Sequence, residues 1–409
     1  MTGAARHRPG GPDDAVVGVT PSSVHLPASV EEAAATLVAL AAEGARVAVV
    51  GGGTELSLGA APRGLDAVVS TSAMGRILDY APADMVLTAE AGVTLAALQA
   101  TAAAHRQRLA LDPPDADRAT VGGLVATGAA GPLRARYGAI RDLIIGATLV
   151  RGDGVIAHGG GKVVKNVAGF DLPKLACGSL GTLAMIGSAT FRLHPLPEAT
   201  ATVRLAPMEA GAIGRLLARA REAQLEPAAS WALRRPGGYQ LVVVFEGFGA
   251  GVQRQSDRLQ KLAREAGPSA DVVGEADAAA LRAEHDLARR SGALRLKLAV
   301  LPSRFAEVEG LLAPALSLLG GGRVVFYPSV GLGYVAAEVA DPVGAAEAVR
   351  GLRRALSPGT LVVEAAPATV RAGVDCWGDP PPGFAVMRRL KERFDPEGRL
   401  NPGRFVGGL

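Results

Sequence analysis

The chain of 409 residues contains two cysteines, Cys177 and Cys376. Two thiols are too few for the disulfide framework of a small secreted domain, for a cysteine-ligated iron–sulfur cluster, or for a cysteine-rich zinc site. A reducing compartment is the simplest setting for such a sequence. We therefore expect a cytoplasmic protein whose fold depends on a hydrophobic core, and the 49% of apolar residues supplies one.

Aromatic residues are also scarce, at 4%, and lysine is rare among the 43 basic residues. Proteins that bind nucleic acid combine clustered Lys and Arg with interleaved aromatic residues. Here the arginines are dispersed, and the formal net charge is only +4. We therefore expect no nucleic-acid partner.

Long hydrophobic runs are absent as well. No stretch reaches the roughly 18 consecutive apolar residues of a membrane-spanning helix. The segment from Met1 to Gly18 has no apolar core of the signal-peptide kind. The sequence thus predicts no direct membrane span.

The length favours two domains, and changes in composition suggest where they lie. Residues 1–19 are polar and rich in Gly and Pro, so we expect a flexible N-terminal tail. A first domain is predicted over residues 20–198 and an α+β domain over residues 199–380. Residues 381–409 form a C-terminal tail whose Pro- and Gly-rich end is ordered but not helical.

The first domain opens with clear local signals. Ser29 followed by Glu32 has the spacing of a helix capping box, and Gly44 is a plausible helix stop. A short apolar strand at 46–50 leads into Gly51-Gly52-Gly53. The second domain alternates strand, helix, strand, strand and helix twice, which predicts compact α+β units and a weak internal repeat.

The glycine triplet at 51–53 admits two interpretations. Residues without Cβ let successive backbone N–H groups converge on an anion such as a phosphate. An isolated triplet is also typical of an ordinary tight turn after a strand. Neither the G-x-G-x-x-G spacing of a Rossmann loop nor the Gly-Lys-Ser/Thr of a P-loop is present.

Further glycine tracts follow the triplet in a distinctive order. They are Ala119-Thr120-Val121-Gly122-Gly123, Tyr137-Gly138, Lys162 to Leu172 (KVVKNVAGFDL) and Gly178-Ser179-Leu180-Gly181-Thr182-Leu183. This order closely resembles the FAD-binding domain of the vanillyl-alcohol oxidase (PCMH) type. The run from Ala119 to Pro197 is most similar to the family of smaller flavin subunits found in bacterial glycolate oxidases. The segment from Phe394 to Arg404 resembles a C-terminal signature of the same enzymes.

The resemblance implies a two-subdomain FAD-binding domain, a smaller α+β (ferredoxin-like) cap and a tail that returns to the flavin. It also assigns cofactor-binding residues. Those matching the two phosphate loops and their flanks are Gly51, Gly52, Gly53, Thr54, Pro114, Thr120, Gly122, Gly123 and Gly138. Those matching a motif near the flavin, the adenosine end and the tail are Asn166, Gly169, Asp171, Gly178, Ser179, Gly181, Thr182, Ile186, Asn401 and Gly403.

No His or Cys falls in the first phosphate loop, where covalent members of this superfamily often attach their flavin, so we expect non-covalent FAD. Catalytic relatives usually carry a His-rich motif in the cap domain. The equivalent segment here, Tyr327 to Tyr334, keeps the glycines but has no histidine. His285 is the sole histidine of the second half, and its neighbours suggest a surface position. The sequence predicts no metal site and identifies no catalytic residue.

The resemblance therefore implies the FAD-binding subunit of a glycolate oxidase complex, which oxidises glycolate to glyoxylate. A larger flavin subunit would hold the small 2-hydroxy acid, and an iron–sulfur subunit would remove the electrons. Such partners could also place the complex peripherally at the inner membrane. Two alternatives stay open: a self-sufficient FAD-linked oxidoreductase of D-2-hydroxy acids that uses arginines with Tyr327 or Tyr334, and a non-catalytic assembly subunit with a vestigial flavin fold.

Overall fold

The computed structural model describes residues 6–162 and 169–409. The chain divides into two compact units. Unit 1 comprises Met1–Gly131, Gly138–Leu196 and Asp379–Leu409, and unit 2 comprises Pro132–Tyr137 and Pro197–Gly378.

The elements of the N-terminal half are short. Its strands are β1 (Arg6–Pro9), β2 (Ser23–Leu26), β3 (Val47–Val50), β4 (Ala67–Ser70), β5 (Ile77–Ala81), β6 (Val86–Glu90), β7 (Gln107–Arg108), β8 (Ile144–Val150), β9 (Ile156–Gly160), β10 (Met185–Arg192) and β11 (His194–Pro195). Its helices are α1 (Val30–Ala42), α2 (Leu95–Ala103), α3 (Val121–Thr127), α4 (Arg134–Tyr137), α5 (Ile140–Leu143) and α6 (Leu172–Ala176).

The C-terminal half has longer helices. Its strands are β12 (Ala199–Leu205), β13 (Ala229–Arg235), β14 (Gly238–Gly247), β15 (Ala270–Val273), β16 (Leu294–Ala299), β17 (Arg323–Tyr327), β18 (Leu332–Ala337) and β19 (Thr360–Ala365). Its helices are α7 (Ala210–Glu222), α8 (Gly249–Ala266), α9 (Glu275–Arg290), α10 (Phe305–Leu318), α11 (Pro342–Leu356), α12 (Ala368–Arg371) and α13 (Phe384–Phe394).

Unit 1 begins with a four-stranded sheet in the order β1-β2-β4-β3. The predicted helix start is confirmed, because the Ser29 hydroxyl accepts from the Glu32 N–H at 3.1 Å. The Glu32 carboxylate accepts in turn from the N–H of Ala28 at 2.8 Å, one residue earlier than in an ordinary capping box. The cap therefore fixes where α1 starts and which of its faces packs on the sheet.

The N-terminal segment differs from the expected flexible tail. β1 pairs antiparallel with β2, with His7 opposite His25. Val16 is fully buried and packs in one cluster with Val24 and Ala48. The tail prediction is therefore wrong for residues 6–19, because a few spaced apolar residues suffice to anchor a polar segment against a sheet edge.

A second sheet of unit 1 is antiparallel, in the order β5-β6-β10-β8-β9. Leu98 of α2 and Val125 of α3 are fully buried in one cluster with Leu87 and Phe191 of this sheet. Burying side chains of this size stabilises the fold by roughly 1.5–3 kcal/mol each. This packing fixes α3, whose N-terminal end carries predicted site residues.

Unit 2 is built from two copies of one motif. Each half runs strand-helix-strand-strand-helix-strand, and the strand order within each half is fourth-first-third-second. The second strands of the halves pair, with Ala232 opposite Phe326, so eight antiparallel strands form one sheet. The internal repeat and the ferredoxin-like topology predicted from the sequence are confirmed.

The two faces of this sheet are covered differently. A large cluster that includes residues of α7, α8, α10 and α11 packs against one face. Helix α9, which connects the two halves, packs against β13, β17 and β18 on the other face. Strand β15 is short and half-exposed, and the sequence analysis missed it.

Candidate functional site

Three glycine-rich loops of unit 1 surround a narrow slot. The predicted residues that line it are Gly51, Gly122, Gly123, Gly181 and Ile186. They come from the end of β3, from the first turn of α3, from the loop before β10 and from β10 itself. Residues more than 130 positions apart in the sequence thus meet at one place.

Close approach of two loops explains the first glycines. A Cβ on Gly52 would stand 1.7 Å from the carbonyl oxygen of Arg118, and one on Gly51 would stand 2.2 Å from Thr120 Oγ1. The Gly52 N–H donates to Thr120 Oγ1 at 3.3 Å. Gly53 has a φ of +71° and nothing within 4 Å of its Cβ position. Of this loop, Gly51 lines the slot, and no side chain stands between its backbone and the space.

Thr120 also begins α3. Its hydroxyl accepts from the N–H of Gly123 at 3.4 Å, and the N–H of Gly122 donates to the carbonyl of Ala91 at 2.8 Å. A Cβ on Gly122 would stand 2.8 Å from the Cβ of Ala91. One hydroxyl therefore joins the first loop to the second.

The third loop is held against α3 by its backbone. The N–H groups of Gly178 and Leu180 donate to the carbonyls of Val125 and Ala126, at 2.9 and 2.8 Å. Gly178 and Gly181 have positive φ, and the Thr182 hydroxyl donates to the carbonyl of Ser179 at 2.7 Å. These turns bring the loop back towards the slot.

The C-terminal tail closes beside the slot. The Asn401 N–H donates to the carbonyl of Val47 at 2.7 Å, and the side chain of Asn401 is 1% exposed. Its Nδ2 lies 2.9 Å from the Cβ position of Gly181. Among the described residues, neither side-chain polar atom of Asn401 has a hydrogen-bond partner, and the same holds for the buried Thr71 Oγ1 that lines the slot. Leaving such a group unpaired costs about 1–3 kcal/mol, so these atoms fit a bound polar group.

A buried lysine that sequence reasoning missed holds the tail in place. Lys391 Nζ donates to the carbonyl of Thr182 at 2.7 Å, to the carbonyl of Leu400 at 2.9 Å and to Asp395 Oδ2 at 2.6 Å. Burial lowers the pKa of Lys391, and the Asp395 carboxylate opposes that shift. The Lys391–Asp395 spacing of four residues was the available signal.

Other predicted residues do not line the slot in the described part of the chain. Gly138 packs on Asp142, and Gly403 packs on Arg63. Asp171 is exposed, accepts from the N–H of Lys174 as the cap of α6, and pairs with its ammonium at 2.9 Å. The remaining positions are Thr54, which is half-buried beside Gly53, Pro114, which is buried, Gly169, which is exposed, and Asn166, which lies outside the described residues.

Cys177 lies beside the third loop. Burial raises the pKa of its thiol to about 12, and its Sγ is 3.3 Å from the carbonyl of Pro173. A thiol with so high a pKa is a poor nucleophile and a poor redox group at neutral pH. Packing is the role that these contacts support.

Unit 2 contains a buried polar cluster centred on His285. The predicted surface position is wrong, because α9 packs this side chain against the sheet and leaves it 0% exposed. His285 Nε2 lies 2.6 Å from the hydroxyl of Tyr327, and His285 Nδ1 lies 2.8 Å from the Asp286 carboxylate. Arg289 donates to the Tyr327 hydroxyl at 3.3 Å and stacks 4.1 Å above the ring of Tyr334.

Charge settles the direction of these hydrogen bonds. Burial lowers the pKa of His285 to about 4, so the ring is neutral at pH 7. The ionised Asp286 can only accept, so Nδ1 carries the proton and Nε2 accepts from the Tyr327 O–H. The charged neighbours in the sequence suggested a solvent-facing side chain, whereas the ring packs edge-on against Trp231.

We expect this burial to produce an acid-dependent loss of stability. The folded pKa near 4 lies below the ordinary value of 6.5, so the unfolded chain binds the proton first. The contribution of neutral His285 to the free energy of unfolding is complete above pH 6.5 and falls by about 2–3 kcal/mol as the pH drops towards 4. Urea unfolding of the wild type and of His285→Gln between pH 7.5 and 4.5 measures it. Equal pH dependence in the two proteins would contradict the prediction.

The described residues hold neither a metal-binding cluster nor a membrane-spanning helix. Residues 6–162 and 169–409 contain no group of three or more His, Cys, Asp or Glu side chains arranged to hold a metal ion. No helix within those ranges is both long enough and apolar enough to cross a membrane.

Comparison with known proteins defines the class of the site. Residues 21–160 match the family model described as an FAD binding domain, so FAD is the cofactor of this domain. The p-cresol methylhydroxylase crystal structure superimposes with a TM-score of 0.72 at 15% identity, over 94% of this chain and 89% of that one. The fold is therefore that of the PCMH-type flavoproteins.

The chain is also similar in sequence to several curated proteins. The chain is similar to the glycolate oxidase subunit GlcE of Escherichia coli (strain K12), at 38% identity over 31% of this chain and 37% of that one. It is 41% identical to a D-lactate dehydrogenase of Archaeoglobus fulgidus, over 41% and 38% of the two chains. It is 30% identical to the glycolate oxidase subunit GlcD of Bacillus subtilis, over 45% and 39%. The chain spans less than two fifths of the length of these relatives.

Proposed function

We propose that this chain is the FAD-binding subunit of a cytoplasmic glycolate oxidase (glycolate dehydrogenase) complex that oxidises glycolate to glyoxylate. The observation that carries the proposal is the slot itself. Glycines whose Cβ positions are crowded line it, the unpaired Thr71 hydroxyl lies in its lining, and the unpaired side chain of Asn401 lies beside Gly181. The similarity to GlcE and to 2-hydroxy-acid dehydrogenases supports the substrate class.

Different loops of unit 1 would hold different parts of FAD. Glycines at 51–53, 122 and 123 leave the backbone without side chains, which gives the pyrophosphate room where side chains would not fit. The loop from Gly178 to Thr182 lines the adenosine end, and Asn401 offers both a donor and an acceptor. FAD, when bound, accepts a hydride from a substrate C–H bond. We propose a non-covalent complex, because the first loop carries neither His nor Cys.

Two partner subunits belong to the proposal. A larger flavin subunit would hold the substrate, and an iron–sulfur subunit would take the electrons. The similarity to both GlcE and GlcD supports a complex in which related flavin subunits work together. The two cysteines of this chain support a separate carrier of the iron–sulfur cluster.

The visible spectrum of the purified chain tests the proposal. We expect a flavin band that stays oxidised under anaerobic glycolate and bleaches once the larger flavin subunit is added. Acid precipitation should release the yellow colour into the supernatant, as non-covalent FAD requires. A colourless protein would contradict the proposal and favour a non-catalytic assembly subunit.

A second candidate is a self-sufficient oxidoreductase of D-2-hydroxy acids, which the 41% identity to a D-lactate dehydrogenase supports. Arg289 and a neutral His285 are the kinds of group that bind a carboxylate and accept a hydroxyl proton. Both are at most 5% exposed and are bonded to Tyr327, so a substrate would reach them only if the cluster opened. Bleaching of the isolated chain by glycolate or D-lactate would support this candidate and overturn the subunit proposal.

A further inference from the structure

Unit 2 contains a polar cleft at the turn between β13 and β14. Its volume is about 490 Å³, which is large enough for a small metabolite. The charged residues that line it are Glu209, Arg234, Arg235 and Glu309. They come from the start of α7, from the end of β13 and from α10, so three elements of one unit form the cleft.

The backbone brings side chains of three segments to this cleft. Arg234 and Tyr239 are direct partners in the antiparallel pairing of β13 with β14, so their side chains project from the same face of the sheet. Glu209 follows Met208, whose backbone is joined to that of Tyr239 by hydrogen bonds of 3.0 and 2.7 Å. The approach is so close that a Cβ on Gly238 would stand 2.4 Å from the carbonyl oxygen of Met208. Residues on either side of the turn are therefore held beside the start of α7.

Helix α10 supplies a second carboxylate. Phe305 packs edge-on against Tyr239, with the ring centroids 5.2 Å apart. Glu309 lies one turn further along α10, on the same face of the helix as Phe305. Burial raises the pKa of Tyr239 to about 12, the Glu309 carboxylate adds to that rise, and the Arg234 guanidinium opposes it. The phenol is therefore neutral at pH 7 and lies within electrostatic reach of both charged groups.

Several polar groups of the cleft lack a protein partner. Tyr239 is 1% exposed, and its hydroxyl forms no hydrogen bond within the part of the chain that the structure describes. Buried tyrosine hydroxyls usually have a partner, and leaving a buried polar group unpaired costs about 1–3 kcal/mol. Among residues 6–162 and 169–409, Arg234, Glu209 and Glu309 form no ion pair either. The cleft thus offers one cation, two carboxylates and one buried hydroxyl to a ligand.

The charges of the cleft indicate the class of that ligand. Arg235 is already paired with Glu284. Arg234 then stands against the two carboxylates of Glu209 and Glu309, which leaves one negative charge in excess. A guanidinium binds a carboxylate through two parallel hydrogen bonds, and a carboxylate binds an ammonium group. A ligand with one carboxylate and two cationic groups therefore matches these charges in number and in sign.

We propose that this cleft binds a basic amino acid such as L-lysine, with its carboxylate on Arg234 and its two ammonium groups on Glu209 and Glu309. The Tyr239 hydroxyl donates to the same ligand carboxylate. An acidic metabolite or a phosphate would meet two carboxylates, and a divalent cation would meet a guanidinium. The site includes none of the residues assigned to the flavin.

Isothermal titration of the full chain with L-lysine tests the proposal. We expect saturable binding with a Kd of about 0.1–1 mM. Arg234→Gln and Glu309→Gln should each raise Kd at least tenfold, because each leaves a charged group of the ligand unpaired. Tyr239→Phe removes only the hydroxyl and keeps the ring that packs on Phe305, so it should raise Kd about fivefold. The matched controls are exposed residues of α8 and α7, and Arg258→Gln and Glu222→Gln should bind L-lysine as the wild type does.

Two analogues separate the parts of the proposal. L-Norleucine lacks the side-chain ammonium group of L-lysine, and cadaverine lacks its carboxylate, so both should bind at least tenfold more weakly. Equal binding of cadaverine would mean that Arg234 holds no carboxylate, and would overturn the assignment of an amino acid. Failure of L-lysine to bind would overturn the site itself. Unchanged affinity in Arg234→Gln and Glu309→Gln would do the same. None of these measurements depends on flavin content, so the proposed function is tested separately.

Discussion

Gly52→Val should give a protein that folds but purifies without FAD. The new Cβ would stand 1.7 Å from the Arg118 carbonyl, a backbone atom that cannot rotate away. The first loop must then move, which breaks the hydrogen bond from the Gly52 N–H to Thr120. Because Thr120 also caps α3, the first two walls of the slot separate. We expect at least a hundredfold loss of FAD affinity, measured by flavin absorbance and by titration of the apoprotein.

A glycine in an uncrowded position provides the control for Gly52→Val. Gly251 lies in α8, and nothing stands within 4 Å of its Cβ position. Gly251→Val therefore introduces the same side chain without a collision and should retain FAD. Gly53→Ala tests a different effect, because its cost comes from the positive φ rather than from a neighbour. A Gly52→Val protein with wild-type flavin content would mean that the first loop does not hold the cofactor.

The glycine loops could be located from the sequence because a close backbone approach needs a residue without Cβ at a fixed position, even when the approaching segment is far away in the chain. Several such positions in the right order indicated the fold. The alternation of strands and helices predicted the repeat of unit 2 because each half forms from contiguous residues. Strand β15 was not predicted, because it has only four residues and is half-exposed.

Burial of charged and polar groups was not predictable in the same way. His285 looks solvent-facing among Glu284 and Asp286, and only pairing with Tyr327, 42 positions away, gives it a buried partner. Lys391 depends on Thr182, which is 209 positions away. Periodicity reports which face of an element is apolar, but it does not show which polar group on another element will satisfy a buried donor.

Lys391→Met should destabilise unit 1 and weaken FAD binding together. The substitution keeps the volume but leaves the buried Asp395 carboxylate without its cation and two carbonyls without a donor. Breaking a buried pair in this way costs about 3–5 kcal/mol. The lost contacts join Thr182 to Leu400, so the third loop and the tail that carries Asn401 loosen at the same time. Urea unfolding and FAD titration measure the two effects.

A paired variant distinguishes charge from packing. Lys391→Met with Asp395→Asn removes the uncompensated carboxylate, so it should recover part of the lost stability, although two carbonyls still lack their donor. Lys261→Met, at an exposed position of α8, should change stability by less than about 0.5 kcal/mol. If Lys391→Met loses stability but keeps full FAD affinity, the contacts of Lys391 hold the tail without shaping the slot. Loss of both, with partial recovery in the double variant, would show that one buried ammonium group supports the fold and the cofactor site.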